Sequence, residues 1–322
     1  MRELSLSPKL TLSTLPTPLE KLETLSAELG LELYIKRDDL TSSAGGGNKV
    51  RKLEYLLADA LYQGAKTVLT IGAVQSNHCR QTALLGAKLG LQVHLVLVGQ
   101  MPEQTQGNIL LDSLAGAHLH FASGGRETGE VVLSRLFEDL KAKGAAPYII
   151  PYGGSNEIGA QGYISAWMEL EKQSREIGID FDFLVLPVSS GGTMAGVLIG
   201  EALTKAKVQT VGISVGPTRE ELRLNLKTLI ESTLIRLGLD IETPEFQLRD
   251  EFVGKGYAVF DEETRTAIET MARKEGLLLD PVYTGKAFRG LLTLARRKEI
   301  GGRVLFWHTG GLPALYAYAS YF

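Results

Sequence analysis

The feature that most constrains this chain is a set of short, almost wholly apolar runs separated by helical patterns. The runs are Thr67–Ile71, Val93–Val98, Tyr148–Ile150, Phe183–Leu186, Val211–Val215 and Val304–Trp307. None shows the apolar–polar alternation of a half-exposed strand, so they read as strands covered on both faces, as in a parallel sheet. Between them lie patterns such as Val50, Leu53, Leu56, Leu57, Ala60 and Leu61, spaced by three and four along one helical face. The alternation predicts an α/β fold of doubly wound, mostly parallel sheets, with ligands at the carboxyl ends of strands. A chain of 322 residues is long enough for two such units. Lys227 to Glu245 reads as a further helix with a looser exit, an excursion on the surface.

The composition narrows the function classes. With 34 basic and 37 acidic residues dispersed along the chain, the net charge is −3, without the basic patch that nucleic-acid binding needs. No run approaches the ~18 apolar residues of a membrane span, and Arg2 and Glu3 lead into a polar segment rather than a secretory leader. The single cysteine, Cys79, has no internal disulfide partner and reads as a buried small side chain, which points to a cytoplasmic protein. Asp38-Asp39 sits in Lys36-Arg37-Asp38-Asp39-Leu40, an ion-paired strand end, and no cluster of further ligands suggests a metal. Small charged metabolites are the partners that remain.

Three strand ends carry the chemistry. After Thr67–Ile71 comes Gly72-Ala73-Val74-Gln75-Ser76-Asn77-His78, a set of amide, hydroxyl and imidazole donors suited to a carboxylate and a phenolic oxygen. The run from Phe183 leads into Ser189-Ser190-Gly191-Gly192-Thr193, where small residues expose main-chain N–H groups and hydroxyls before a helix, as a phosphate cradle requires. It is neither a Walker loop nor a dinucleotide fingerprint. Val304–Trp307 runs into His308-Thr309-Gly310-Gly311. Apart from these, the turn Gly45-Gly46-Gly47-Asn48 delivers Lys49 to a helix start. There, desolvation and the cations Arg51 and Lys52 are expected to lower its pKa and make it nucleophilic toward an aldehyde, most often pyridoxal phosphate. The same string also suits an ordinary turn with a solvated lysine. Lys52, one turn on, faces the same side. Asp280-Pro281-Val282-Tyr283-Thr284-Gly285-Lys286 reads as a loop over a pocket, with Tyr283 placed to stack or to act as acid or base. Tyr257 carries the same two readings.

Five segments, Ile35–Asp39, Gly46–Glu54, Gly72–His78, Leu279–Lys286 and His308–Gly311, together resemble the family of 1-aminocyclopropane-1-carboxylate deaminase and D-cysteine desulfhydrase, in family order, from about residue 8 onward. The resemblance implies the tryptophan-synthase-β-like, type II fold of pyridoxal-phosphate enzymes. It also implies a large domain of residues 1–51 and 161–322, a small domain of 52–160, and a homodimer. By matching motif, Lys49 holds the cofactor covalently, Asn77 bonds its phenolic oxygen, and Lys52 with Ser190, Gly191, Gly192 and Thr193 holds its phosphate. Thr284 and Thr309 lie at its ring, while Ser76, Asn77 and His78 receive the substrate carboxylate. Tyr257 and Tyr283 line the reacting face, with Lys49 or Ser76 as proton acceptor.

The ring-opening deaminases carry glutamate where this chain has Thr284 and leucine where it has Thr309. A threonine hydroxyl is expected to donate to a neutral ring nitrogen, a weaker electron sink that suffices when a good leaving group departs from Cβ. The expected reaction is therefore elimination from D-cysteine to pyruvate, ammonia and sulfide. Ring opening to 2-oxobutanoate, or sulfite loss from L-cysteate, are the enzymatic alternatives. A carrier of pyridoxal phosphate or an amino acid is the non-enzymatic one, and a nucleotide-dependent oxidoreductase is disfavoured by the missing fingerprint.

Overall fold

The computed structural model describes residues 5–42 and 45–322. Arg2 and Glu3, and Ser43 and Ala44 ahead of the glycine-rich turn, lie outside the described residues. In chain order the strands are β1 (Leu19–Lys21), β2 (Glu32–Arg37), β3 (Thr67–Ala73), β4 (Gln92–Val98), β5 (His118–Ala122), β6 (Pro147–Ile149), β7 (Phe183–Val188), β8 (Gln209–Ser214), β9 (Phe246–Arg249) and β10 (Arg303–His308). The helices are α1 (Glu23–Leu29), α2 (Lys49–Tyr62), α3 (Asn77–Lys88), α4 (Asn108–Leu114), α5 (Arg126–Ala142) and α6 (Gln161–Ile177). They continue with α7 (Gly192–Thr204), α8 (Arg219–Leu237), α9 (Glu262–Glu275), α10 (Thr284–Arg296) and α11 (Leu312–Leu315).

Two sheets result. The larger has the order β1-β2-β10-β7-β8-β9 and the smaller β5-β4-β3-β6. Every pairing is parallel except β1 with β2. Consecutive residues of a central strand enter different cores, as the pleat dictates. Leu305 and Trp307 of β10 pack with α6, α7 and α8, whereas Val304 and Phe306 pack with α1, α9 and α10. The small sheet does the same, Val93, Leu95 and Leu97 facing α2 and α3, and Leu69, Ile71 and Val96 facing α5. Being apolar on both sides, these strands carry the unbroken hydrophobic runs seen in the sequence.

Two expectations need correcting. The helix expected over Lys227–Glu245 begins at Arg219, behind a capping box made by Thr218 and Glu221, and stops at Leu237 on a left-handed Gly238. It is no surface excursion, for Leu222, Leu226, Leu229 and Ile230 are buried in the large-sheet core. The segment Asp280–Lys286 is a loop only as far as Tyr283, because Thr284 already opens α10.

Candidate active site

The carboxyl ends of β3, β7 and β10 point into one cleft. It is lined by Asn48 and Lys49, by Asn77 and His78, by residues 187–191, Thr193 and Met194, and by Tyr283, Thr309 and Gly310. The start of α2 is stitched to the other two walls. The main-chain N–H of Asn48 donates to Thr309 O at 3.0 Å, and its side chain donates to the Thr193 hydroxyl at 2.9 Å. Gly47 makes this junction possible. Its φ is +117°, and a Cβ there would lie 2.9 Å from Thr309 O.

Lys49 is half-buried at the head of α2 and makes no hydrogen bond or ion pair among the described residues. Desolvation pushes its pKa down from 10.5 to about 8. Lys52, on the same face, is buried, and among the described residues its amine finds only Ser155 Oγ at 3.2 Å and Gly153 O at 3.3 Å. Burial first and Lys49 second hold its pKa well below the ordinary lysine value. No carboxylate among the described residues reaches either amine. Arg51 takes no part in this, contrary to the sequence expectation, because two residues along a helix point to opposite sides. It turns into a buried network, bonding both oxygens of Asp38 at 2.9 and 2.8 Å and both of Glu169 at 3.0 and 2.9 Å.

Facing the two lysines is the turn between β7 and α7. Ser155 completes it, its Oγ 2.8 Å from Ser190 Oγ and accepting the Gly192 N–H at 3.2 Å. A Cβ on Gly192 would sit 2.5 Å from Ser155 Oγ and 2.8 Å from Lys52 Nζ, so a larger residue would push these two donors out of place. Buried cations without a counter-ion, hydroxyls and a helix N-terminus converge here, the donor set a phosphate dianion requires. The residues present thus suit pyridoxal phosphate. Ser155 was not foreseen, although Gly153-Gly154-Ser155 follows a strand run as the other three polar turns do.

At the end of β3, Ser76 caps α3 by accepting the Cys79 N–H at 3.2 Å. It does not line the cleft, so its expected catalytic and carboxylate-binding roles find no support in this geometry. The His78 ring is engaged within the protein, with Nε2 2.8 Å from the Thr70 hydroxyl, which itself donates to Ile150 O at 2.8 Å. Because that hydroxyl proton is committed, His78 Nε2 carries a proton and donates to Thr70. Burial, then Lys49 and Lys52, keep the imidazole neutral by lowering its pKa well below 6.5. What Asn77 and His78 offer a carboxylate is their first-turn N–H groups. Cys79 is buried, and burial raises its thiol pKa above the ordinary value, which makes it an inert core residue.

The two tyrosines do meet. Tyr257 and Tyr283 are joined hydroxyl to hydroxyl at 2.5 Å. Burial raises both pKa values well above 10, helped by Tyr283 and Tyr152 at Tyr257 and by Tyr152 at Tyr283, where the bond from Tyr257 works the other way, so both stay protonated and one hydroxyl proton is spent between them. Tyr283 lines the inner cleft, while Tyr257 lines an outer basin of about 710 Å³ that shares Ser189 and Ser190 with it. Tyr152 and Arg126 also line this basin, with the guanidinium 4.7 Å above the Tyr152 ring. Thr309 lines the cleft as expected. Thr284 is fully buried, its hydroxyl donating to Asp280 Oδ1 at 2.7 Å and accepting the Asp280 N–H at 2.8 Å. That leaves it no proton to donate elsewhere, contrary to the reading of Thr284 as a ring-nitrogen donor.

Comparison with known proteins agrees with this geometry. The family model described as pyridoxal-phosphate dependent enzyme matches residues 10–310. The chain is 45% identical over 319 residues to "Putative 1-aminocyclopropane-1-carboxylate deaminase" of Pyrococcus abyssi, covering 98% of this chain and 96% of that one. It is 42% identical over 318 residues to the D-cysteine desulfhydrase of Yersinia enterocolitica, covering 97% and 96%. A crystal structure of an ACC deaminase homologue superposes with a TM-score of 0.92 at 41% identity, covering 98% of this chain and 95% of that one. The cleft and its two sheets therefore define a pyridoxal-phosphate-dependent enzyme of fold type II. More particularly, the chain belongs to the family of 1-aminocyclopropane-1-carboxylate deaminase and D-cysteine desulfhydrase.

Proposed function

We propose that the protein is a carbon–sulfur lyase that eliminates sulfide from D-cysteine, with pyruvate and ammonia as end products. One observation carries the reading. A half-buried lysine, Lys49, and a buried one, Lys52, neither with a carboxylate partner among the described residues, face a phosphate-type turn, and Lys49 has its pKa pushed down to about 8, where it is both nucleophile and base near neutral pH. In this reading Lys49 holds the aldehyde, and Lys52 with Ser155 and residues 190–193 holds the phosphate. Asn77 bonds the ring oxygen, and the N–H groups of Asn77 and His78 receive the substrate carboxylate. Pyridoxal phosphate, when bound, supplies an electron sink for charge left at Cα.

The chain's own residues do the rest. The Lys49 amine, with its pKa near neutrality, would accept the α-proton of the substrate. The tyrosine pair, held protonated, donates a hydrogen bond on the leaving-group side. No carboxylate lines the cleft, which supports a weaker electron sink and a substrate whose leaving group departs readily. The name of the Yersinia relative supports thiol elimination, and that of the Pyrococcus relative supports ring opening as the second reading. The proposed division into 1–51 with 161–322, and 52–160, is supported by the strands of the small sheet, all of which fall between residues 67 and 149. A homodimer is part of the same reading, and light scattering tests it.

A panel of D- and L-amino acids with the keto acid identified decides the reaction. Pyruvate from D-cysteine is expected, while 2-oxobutanoate from 1-aminocyclopropane-1-carboxylate, with no pyruvate from D-cysteine, would overturn the assignment. Borohydride reduction should fix the cofactor on residue 49, and fixation elsewhere would remove the basis of the mechanism.

A further inference from the structure

A carboxamide offers a donor at one end and an acceptor at the other, so the orientation of Asn77 decides what it presents to a bound group. The structure settles that orientation through Asn108, a buried residue at the start of α4. Asn108 Nδ2 lies 2.8 Å from the main-chain oxygen of Gln75. A carbonyl oxygen only accepts, so the nearby group must be the NH₂, and the reverse orientation would set oxygen against oxygen. The same Nδ2 lies 2.9 Å from the side chain of Asn77, whose facing atom must then be Oδ1. Asn77 makes no other side-chain hydrogen bond among the described residues, and it lines the cleft with Lys49. Its NH₂ is therefore the end left for a ligand.

Asn108 is itself held in place. Its main-chain N–H donates to Gln75 Oε1 at 2.8 Å, and Gln75 Nε2 donates to Gln106 O at 3.1 Å. The chain of assignments begins and ends on main-chain carbonyls, which cannot be reversed. We propose that Asn108 is a positioning residue that locks Asn77 as a hydrogen-bond donor toward the ring oxygen of the cofactor. This rests on the proposed function, since it takes Asn77 to face that oxygen.

The test reads the resting holoenzyme without turnover: the pH midpoint at which the visible absorbance of bound pyridoxal phosphate titrates. Asn77→Ala removes the donor. Asn108→Asp keeps the shape but presents only acceptors, so Asn77 turns its NH₂ away from the cleft. Both variants should move the midpoint upward alike, by roughly one pH unit, the ~10-fold change that loss of a hydrogen bond to a charged group brings. The double variant should move it no further. A wild-type midpoint in Asn108→Asp beside a shifted one in Asn77→Ala would overturn the proposal, as would no shift in either. If Asn108→Asp does not fold, Asn108→Ala, which frees Asn77 to rotate, is read on the same scale and decides the question. Wild-type protein that takes up no coloured cofactor would instead overturn the functional reading beneath.

Discussion

Helix α2 carries buried cations on two faces, and their surroundings differ completely. On one face Arg51 joins Asp38 and Glu169, Lys36 joins Glu169 at 2.6 Å, and Tyr163 donates to Asp38 at 2.6 Å. Burial pushes the Asp38 carboxyl up, but the Arg51 guanidinium outweighs it and holds the carboxyl below its ordinary value. On the other face Lys49 and Lys52 meet no anion among the described residues. Charges closed on one another hold the fold together, whereas charges left open mark where a ligand must complete the balance. Glu201 shows a third outcome. It is buried under α7 with one oxygen on the Thr210 hydroxyl and the other without a partner among the described residues, and burial raises its pKa to about 8. It meets its isolation by staying protonated.

The comparison can be broken by experiment. Lys49→Ala should abolish steady-state turnover, by at least the ~10²–10⁴-fold that a positioned base supplies, while leaving the denaturation midpoint nearly unchanged; retained turnover would deny Lys49 its role. Arg51→Met should do the reverse, costing ~3–5 kcal/mol in urea unfolding, because the fully buried Asp38 carboxylate loses its guanidinium partner. Lys52→Met, one residue further along the same helix, should stabilise the cofactor-free protein by ~1–3 kcal/mol, since an underpartnered buried amine disappears. Inorganic phosphate should then raise the melting temperature of the wild type and not of this variant.

Glu201→Gln gives the smallest effect and sharpens the third case. The folded pKa of about 8 lies above the ordinary 4.5, so the unfolded chain loses its proton first as pH rises. Wild-type stability should therefore decline from about pH 4.5 to 8 and level off above. Unfolding curves across that range should be flatter for the glutamine variant. An unchanged slope would show that Glu201 does not titrate as its burial implies.

The parts legible in the sequence are those whose signal is local. All six apolar runs fall in strands, and in β3, β4, β7, β8 and β10 burial on both faces leaves a continuous mark, whereas β6 is a partly exposed edge strand. Strand β5, His118-Leu119-His120-Phe121-Ala122, escaped because histidines interrupt its apolar pattern, and β1 and β9 are too short to show one. The start of α8 was written in the capping pair Thr218 and Glu221. Lys49, Lys52 and the Ser189–Thr193 turn were found because each is a residue type at a recognisable junction. Ser155, Asn108 and the hold of Asp280 on Thr284 were not, since each acts through a pairing that only the folded chain brings together. The Arg51 expectation failed for the same reason, as charge read along a sequence does not say which side of a helix it leaves from.

Strand β10 lies between β2 and β7 at the middle of the large sheet, although 271 residues separate each of its positions from its β2 partner, as in Trp307 with Lys36. During synthesis the first half of that sheet must wait on the ribosome with an open seam until residues 303–308 emerge. Thr309, which accepts from Asn48, arrives with them. The wall of the pocket that meets Asn48, next to Lys49, is thus supplied by a segment translated long after the helix it closes on.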